Sequence, residues 1–150
     1  MSNIAKHSAP MMEGAFGINE VLKDWAPLVG RILIAILFLP AGIQKIPGWD
    51  GTAAYMASHG VPMVSVLLFL TIVIEIVGPL MIMFGYRARW AAGIMFLWLI
   101  PLTLMMHNFW DADAAHRQIQ TIMFFKNLAI MGAMLLIVGM GSGPKSLKND

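Results

Sequence analysis

A carboxylate lies in the middle of an apolar stretch of this chain. Glu75 sits within the run from Val66 to Phe84, which contains no other charged residue. An ionisable side chain at the centre of a membrane-spanning helix costs about 2.5–3.5 kcal/mol on insertion scales, and it usually faces the protein interior beside a partner. Pro79 lies four residues further on and has no N–H group, so the backbone carbonyl of Glu75 loses its helical donor. This stretch is therefore the first candidate for a functional site.

Two cations in other apolar stretches lie at depths that bracket Glu75. With a rise of about 1.5 Å per residue, Arg31 lies roughly 9 Å to one side of the centre of its stretch, and Lys126 lies roughly 6 Å to the other side. We expect both side chains to lean toward Glu75 and to keep it ionised at neutral pH. Two cations against one carboxylate leave a surplus positive charge. A quinone carbonyl, an anionic headgroup or an acidic substrate would balance that charge.

The ligand-site hypothesis gives each polar residue a role. Glu75 would carry a proton, Arg31 and Lys126 would polarise carbonyl oxygens, and Asn127 would orient the ring of a quinone. A histidine ring titrates near neutral pH, so His107 is a second candidate for proton transfer. The full set comprises two candidate catalytic residues, Glu75 and His107, and five candidate ligand-binding residues, Arg31, Gln44, Lys45, Lys126 and Asn127, with Gln44, Lys45 and His107 at the outer mouth.

A structural ion network is the alternative interpretation of the same residues. Glu75 would pair with Arg31 or Lys126 and hold the helices in register, and His107 would be an amphipathic ring at a span end. We predict no metal site. Four polar residues lie close together in the sequence, namely His107, Asp111, Asp113 and His116. A helix cap and a solvated loop explain them more simply than a bound metal ion does. We also predict no haem, since a b-type site with two histidine ligands would need a pair of histidines at membrane depth and only His107 is close.

The composition is that of an integral membrane protein with room for one domain. The 150 residues are 59% hydrophobic and 12% charged, whereas soluble domains average about 45–50% apolar and 25% charged. The formal net charge is +2 without a basic stripe, so we predict no nucleic-acid partner. The chain has no cysteine, which excludes disulfides, thiol redox chemistry and cysteine-ligated iron–sulfur clusters.

Four apolar segments are each long enough to cross a bilayer, so we predict an all-α fold, a four-transmembrane-helix bundle. The segments are residues 27–46, 62–84, 90–107 and 121–140, with a short helix at 52–59 over the mouth. Ahead of them, apolar residues at helical spacing predict a short N-terminal amphipathic helix in the interface; they are Ile18, Val21, Leu22 and Trp25. The predicted divisions are a tail with this helix at 1–26, the membrane domain at 27–144 and a C-terminal tail at 145–150.

Basic residues predict the orientation of the bundle. Six of them flank one side of the spans, namely Lys6, Lys23, Arg87, Arg89, Lys145 and Lys148. The other side has Arg117, with Lys45 at the boundary. Because basic residues accumulate on the cytoplasmic side, we expect both termini in the cytoplasm.

The order and spacing of several short motifs resemble the DoxX family of small bacterial four-helix membrane proteins. The resemblance covers about residues 27–147. It is carried by Arg31, Ala41–Lys45, Gly60–Pro62, Glu75 with Gly78, Gly85–Arg87, His107–Trp110, Lys126–Asn127 with Gly132, and the final glycine cluster. It implies a multi-pass protein of the bacterial inner membrane that is redox-associated, as is the membrane partner of a thiosulfate:quinone oxidoreductase.

Three functions stay open at this point. The first is a quinone-linked subunit of a membrane oxidoreductase, with quinone as its one expected cofactor. The second is a non-enzymatic scaffold or assembly subunit that holds a protein partner at the membrane. The third is a small transporter, which with four spans would have to form a homo-oligomer. Membrane lipid is an expected partner in all three.

Overall fold

The described part of the chain is all-helical. The computed structural model describes residues 9–148, and the side chains of residues 17–148. It contains five helices in this part of the chain, α1 (Ala9–Lys45), α2 (Trp49–Ser58), α3 (Val64–Phe84), α4 (Ala88–Met106) and α5 (Arg117–Met140), and no strand. Four of them are long and apolar enough to cross a membrane, namely α1 from Gly17 onward, α3, α4 and α5. The predicted four-span bundle and the short helix over its mouth are confirmed.

Helix α1 contains both the predicted interfacial helix and the predicted first span, which we expected to be separate elements. It runs from Ala9 to Lys45 and passes through Pro27 and Pro40. The predicted interfacial helix is therefore the first part of the same helix as the first span. No glycine cap interrupts the chain between Ile18 and Pro27, and prolines are tolerated within membrane-spanning helices. The division at residue 26 stays a prediction, and Lys6 lies outside the described residues.

The four long helices pack in the order α1, α3, α4, α5, and α2 lies against α3. Among the described residues, no extensive contact joins α1 directly to α5. The larger apolar cluster lies toward the α3–α4 turn and draws side chains from all four spans, with Phe38, Ile82, Ala92, Met95 and Met134 among its members. A smaller cluster of Met56, Leu68 and Ile72 lies under α2. We call the end with the α3–α4 turn the tail end, and the opposite end the α2 end.

Arg31 fastens the tail end and does not approach Glu75. Its side chain is 2% exposed. Nη2 donates to the carbonyl oxygens of Pro144 at 3.1 Å and Lys145 at 2.8 Å, and Nε donates to that of Pro27 at 3.3 Å. The predicted contact with Glu75 is therefore wrong. Helical side chains point back toward the helix N-terminus, so Arg31, early in the span, reaches the chain that follows α5.

The segment after α5 is bound to the α3–α4 turn. The N–H groups of Leu147 and Lys148 donate to the carbonyls of Phe84 at 2.9 Å and Gly85 at 3.0 Å. Gly85 has a φ of 64°, and a Cβ there would collide with Arg31 and Ser146. Arg31, Gly85 and residues 144–148 thus form one closed contact, which we call the tail clamp.

We expect Arg31→Gln to loosen the tail clamp, because it removes the charged donor from three carbonyl groups. Hydrogen bonds to charged groups contribute about 1.5–3 kcal/mol each, so the free energy of unfolding should fall by about 2–4 kcal/mol. Thermal unfolding in detergent and tryptic cleavage at Lys145 and Lys148 measure this. Arg117→Gln is the control, since Arg117 is exposed. Equal melting temperatures and cleavage rates in the two variants would contradict the clamp.

The sidedness of the bundle stays a prediction, and the absence of native cysteines makes it testable. Single cysteines at the exposed positions Ser58 and Ala114, at the α2 end, and at Leu147, at the tail end, can be probed with an impermeant thiol reagent on intact cells. We expect Ser58→Cys and Ala114→Cys to react from outside, and Leu147→Cys to react only after the cells are opened. The reverse pattern would invert the orientation.

Candidate functional site

A cavity of about 460 Å³ lies between α1, α3, α4 and α5, with α2 over it. Pockets that bind small ligands typically measure about 300–1,000 Å³. Most of the lining is apolar, from residues such as Leu37, Phe38, Leu99, Leu102 and Ile130. The polar lining residues converge from all five helices and the end of α4; they are Lys45, Thr52, Tyr55, Thr71, Glu75, Trp98, His107, Lys126 and Asn127. An apolar cavity with a few polar groups suits an apolar ligand that has a polar head.

An ion pair between Lys45 and Glu75 is the central polar contact of this cavity. Lys45 Nζ lies 2.7 Å from Glu75 Oε2, and the two side chains are 24% and 10% exposed. Lys45 Nζ also donates to the carbonyl oxygen of Ala41 at 3.3 Å. The sequence placed Lys45 at the outer mouth on the depth of its backbone alone. Its long side chain points back along α1 toward the membrane centre, which makes Lys45 the partner of Glu75.

Gly42 allows α1 to approach α3 at the level of Glu75. A Cβ at Gly42 would lie 2.9 Å from Cγ1 of Ile76 and 3.0 Å from Cβ of Glu75. Small residues at helix contacts are the usual means by which spanning helices approach closely. In the sequence Gly42 is only one member of the motif Ala41–Lys45, so this role was not predicted. A glycine one turn before a lysine in an apolar span was the available signal.

Lys126 lines the cavity but does not contact Glu75. Its Nζ lies 3.0 Å from Sδ of Met123, and in the described part of the chain no carboxylate pairs with it. The predicted bracketing of Glu75 by Arg31 and Lys126 is therefore wrong for both cations. Lys126 is an exposed residue of α5, a helix that makes no extensive contact with α1 in the described part of the chain.

Asn127 links two helices beside the cavity. It is 6% exposed, and its Nδ2 donates to Oγ1 of Thr103 at 3.1 Å. Thr103 itself is 1% exposed. A buried side-chain hydrogen bond of this kind fixes the relative position of α4 and α5. One N–H of the amide is thus engaged, which leaves the second N–H and the amide oxygen of Asn127 for any contact with a ligand.

Of the two predicted site residues at the α2 end, His107 lines the cavity and Gln44 does not. His107 lines the cavity, and its Nδ1 lies 2.8 Å from Oε1 of Gln120. Gln44 is exposed and does not line the cavity. The structure therefore brings Lys45, Glu75, His107, Lys126 and Asn127 to one cavity, and it places Arg31 and Gln44 elsewhere.

Trp98 is a lining residue that the sequence did not assign to the site. Its Nε1 is buried, and no acceptor for it occurs among the described residues. A buried N–H group without an acceptor is costly, and an oxygen atom of a bound molecule would satisfy it. The signal in the sequence was a tryptophan well inside a span, away from the interfaces where tryptophan is common.

The acidic and imidazole side chains of the α4–α5 loop lie at a turn just before α5. Asp113 Oδ1 accepts from the N–H groups of Ala115 at 2.9 Å and His116 at 3.0 Å, just before α5 begins. The His116 side chain and these N–H groups hold the pKa of Asp113 below its usual value. The N-cap residue of α5 is His116, and no side chain caps the helix with a hydrogen bond, so the predicted helix cap by Asp111 or Asp113 is wrong. Asp113 closes the turn just before α5 instead. In the described part of the chain, no group of three or more His, Asp or Glu side chains could hold a metal ion.

Comparison with known proteins identifies the family. The family model DoxX matches residues 26–108. This chain belongs to the DoxX family. The inner membrane protein YphA of Escherichia coli (strain K12) is 32% identical over 80% of this chain and 86% of its own length. The inner membrane protein YqjF of the same organism is 39% identical over 84% of this chain and 92% of its own length.

A more distant relative is CatD of Bacillus subtilis (strain 168), whose name provisionally calls it an oxidoreductase. It is 30% identical over 46% of this chain and 49% of its own length. No solved structure matches the chain. The range matched by the family model includes Lys45, Glu75 and His107, and it ends before Lys126 and Asn127. The chain is therefore an integral membrane protein of the DoxX family, similar to proteins of the bacterial inner membrane.

We expect Gly42→Ala to weaken the α1–α3 contact, because its Cβ would press on Ile76 and Glu75. Gly30→Ala is a matched control in the same helix, since a Cβ at Gly30 meets nothing within 4 Å. Alanine in place of a helical glycine adds up to about 1 kcal/mol of helix propensity, so Gly30→Ala should raise the melting temperature in detergent and Gly42→Ala should lower it. Two variants of equal melting temperature would contradict the close approach at Gly42.

Proposed function

We propose that this DoxX-family protein is a redox-associated membrane subunit that binds a quinone, or a similar lipid-soluble ligand with an electron-rich head, in the cavity between α1 and α5. The observation that carries the proposal is an uncompensated lysine beside an ion pair in an apolar cavity. Size, charge and access each support it.

The charges of the cavity favour an electron-rich ligand. Lys45 neutralises Glu75 across a 2.7 Å contact, which leaves Lys126 as a lining cation without a carboxylate partner among the described residues. A charge in apolar surroundings gains from a partner much more than a charge in water does. The surplus positive charge that motivated the sequence hypothesis is therefore retained, but it comes from Lys126 alone and not from Arg31.

Access from the membrane favours a lipid-soluble ligand. Leu37 of α1 and Lys126 of α5 both line the cavity and are exposed, and α1 and α5 are not in extensive contact among the described residues. A ligand with an apolar tail could thus enter sideways from the lipid, with its tail against Leu37 and Ile130 and its head near Lys126 and Glu75. A water-soluble substrate would lose its hydration in an apolar opening that faces the lipid, so it is disfavoured there.

The lining residues fit the carbonyl oxygens of a quinone. Lys126 and the N–H of Trp98 can donate hydrogen bonds, and the Lys45–Glu75 pair can hold a proton near the ligand. A bound quinone would accept two electrons and two protons on conversion to the quinol. The electrons would come from a redox cofactor of a partner subunit, since this chain has no cysteine to relay them. The relative CatD, provisionally named an oxidoreductase, supports a redox association.

The test is to measure what the purified protein binds. Solvent extraction followed by mass spectrometry should recover quinone in stoichiometric amounts, and a short-chain quinone should raise the melting temperature. Lys126→Met should weaken quinone binding about tenfold, equivalent to about 1.4 kcal/mol, because it removes the unpaired donor. Lys148→Met is the control, since Lys148 lies in the tail clamp and outside the cavity.

The outcome separates the proposal from its alternative. Absence of quinone from the extract, together with no thermal shift in the unaltered protein, would contradict the ligand role. That result would leave the non-enzymatic scaffold or assembly subunit as the better account. Weakening of binding by both lysine variants alike would show that the effect is one of overall charge and not of the cavity.

A further inference from the structure

We propose that the cavity has a second, aqueous entrance at the α2 end, gated by Tyr55, Gln120 and His107, through which water and protons reach the Lys45–Glu75 pair. The inference deepens the proposed function by giving a ligand in the cavity a source of protons. The aqueous route does not require a bound ligand, so it can be tested separately from ligand binding.

A polar cleft lies next to the apolar cavity at the α2 end. It has a volume of about 560 Å³. Its lining is rich in groups that hold water and exchange protons, including Ser58, His59, Asp111, Asp113 and His116. Asp113 and His116 form an exposed pair at 2.9 Å. A cleft with this lining supplies water and protons at the mouth of the bundle.

Three side chains separate this cleft from the cavity. Tyr55 lines both of them, Gln120 lines only the cleft, and His107 lines only the cavity. His107 Nδ1 lies 2.8 Å from Oε1 of Gln120, and Gln120 Nε2 lies 3.4 Å from the hydroxyl oxygen of Tyr55. A continuous chain of polar atoms therefore crosses the partition from the cleft to the cavity.

The direction of these hydrogen bonds leaves His107 able to take up a proton. The amide oxygen of Gln120 can only accept, so Nδ1 of His107 carries the hydrogen and donates it. In the neutral ring, the lone pair then lies on Nε2. His107 lines the same cavity as Lys45 and Glu75. With its lone pair on Nε2, His107 can exchange protons with water that enters the cavity holding the ion pair.

The link that closes the partition is weak enough to open. The Tyr55–Gln120 contact of 3.4 Å is at the long end of the hydrogen-bond range. Tyr55 belongs to α2, a short helix whose extensive contact within the described part of the chain is with α3. Gly48 precedes α2 and Gly60 follows it, the latter with a φ of 71°. A small shift of α2 about these glycines would break the contact and join the cleft to the cavity.

Water access can be measured with a cysteine inside the cavity, because the chain has none of its own. Met105 lines the cavity, so Met105→Cys is the probe, with Leu102→Cys as a second probe if the first does not fold. The protein in sealed vesicles is treated with a charged, membrane-impermeant methanethiosulfonate reagent. The reagent is added on the side that labels Ser58→Cys, which makes the experiment independent of the predicted orientation.

We expect slow labelling of the probe with the gate intact. Adding Gln120→Ala should raise the rate at least tenfold, because it breaks both hydrogen bonds of the gate. Adding Tyr55→Phe, which keeps the ring and loses only the hydroxyl group, should also raise it. Asn108→Ala is the matched control, since Asn108 lines the cleft but is not part of the partition. Leu97→Cys, 65% exposed in the middle of α4, reports the background for a lipid-facing thiol.

A labelling rate that neither Gln120→Ala nor Tyr55→Phe changes would overturn the proposal, as would a rate no higher than that of Leu97→Cys in every variant. An equal increase with Asn108→Ala would overturn the assignment of the gate to Tyr55 and Gln120. Because no quinone is present, a failure here is distinct from a failure of ligand binding. A protein that binds quinone but fails this test would take its protons by another path.

Discussion

The ion pair between Lys45 and Glu75 is the constraint on which the rest of the bundle depends. A carboxylate at the middle of a spanning helix is costly without a partner, and removing one member of a buried pair leaves an uncompensated charge. Lys45 can reach Glu75 only because Gly42 lets α1 lie against α3 at that level, so closely that a Cβ at Gly42 would lie 3.0 Å from Cβ of Glu75. The contact between α1 and α3 therefore depends on Gly42, Lys45 and Glu75. The cavity lies beside this contact.

The two ends of the bundle differ in how they are closed. At the tail end, Arg31 donates to three carbonyl groups, and the segment after α5 is hydrogen-bonded to the α3–α4 turn. At the α2 end, α1 and α5 are separated by the cavity, and a short helix covers it. This arrangement suits a ligand site, because the tail clamp holds the helices together at one end while the cavity lies toward the other end.

The sequence predicted the helices well, because span length and apolar composition are properties of single segments. The four spans and the short helix over the mouth needed no information about neighbouring helices. The continuity of α1 through Pro27 was missed, because the residues before position 27 were assigned to a separate interfacial helix. The gate residues Tyr55 and Gln120 were also missed, since their contact depends on how α2 sits over α5.

The partner of Glu75 was predicted wrongly for a physical reason. Depth along a span locates a backbone atom, but it gives neither the rotation of the helix nor the direction of a long side chain. Arg31 donates to the chain that follows α5, Lys126 contacts Met123 of its own helix, and Lys45 reaches Glu75 from the end of α1. Five of the seven candidate residues still line one cavity, because polar groups in apolar spans must turn toward the interior.

The most direct test of this account is a double-mutant cycle on Lys45 and Glu75, measured as the free energy of unfolding in detergent. Lys45→Met and Glu75→Gln should each be destabilising, by about 3 kcal/mol if the remaining partner is left buried and unpaired. The double variant should lose clearly less than the sum of the two, with a coupling of about 1–3 kcal/mol. Additive losses would show that the two side chains do not interact in the folded protein, and the account of the site would then be wrong.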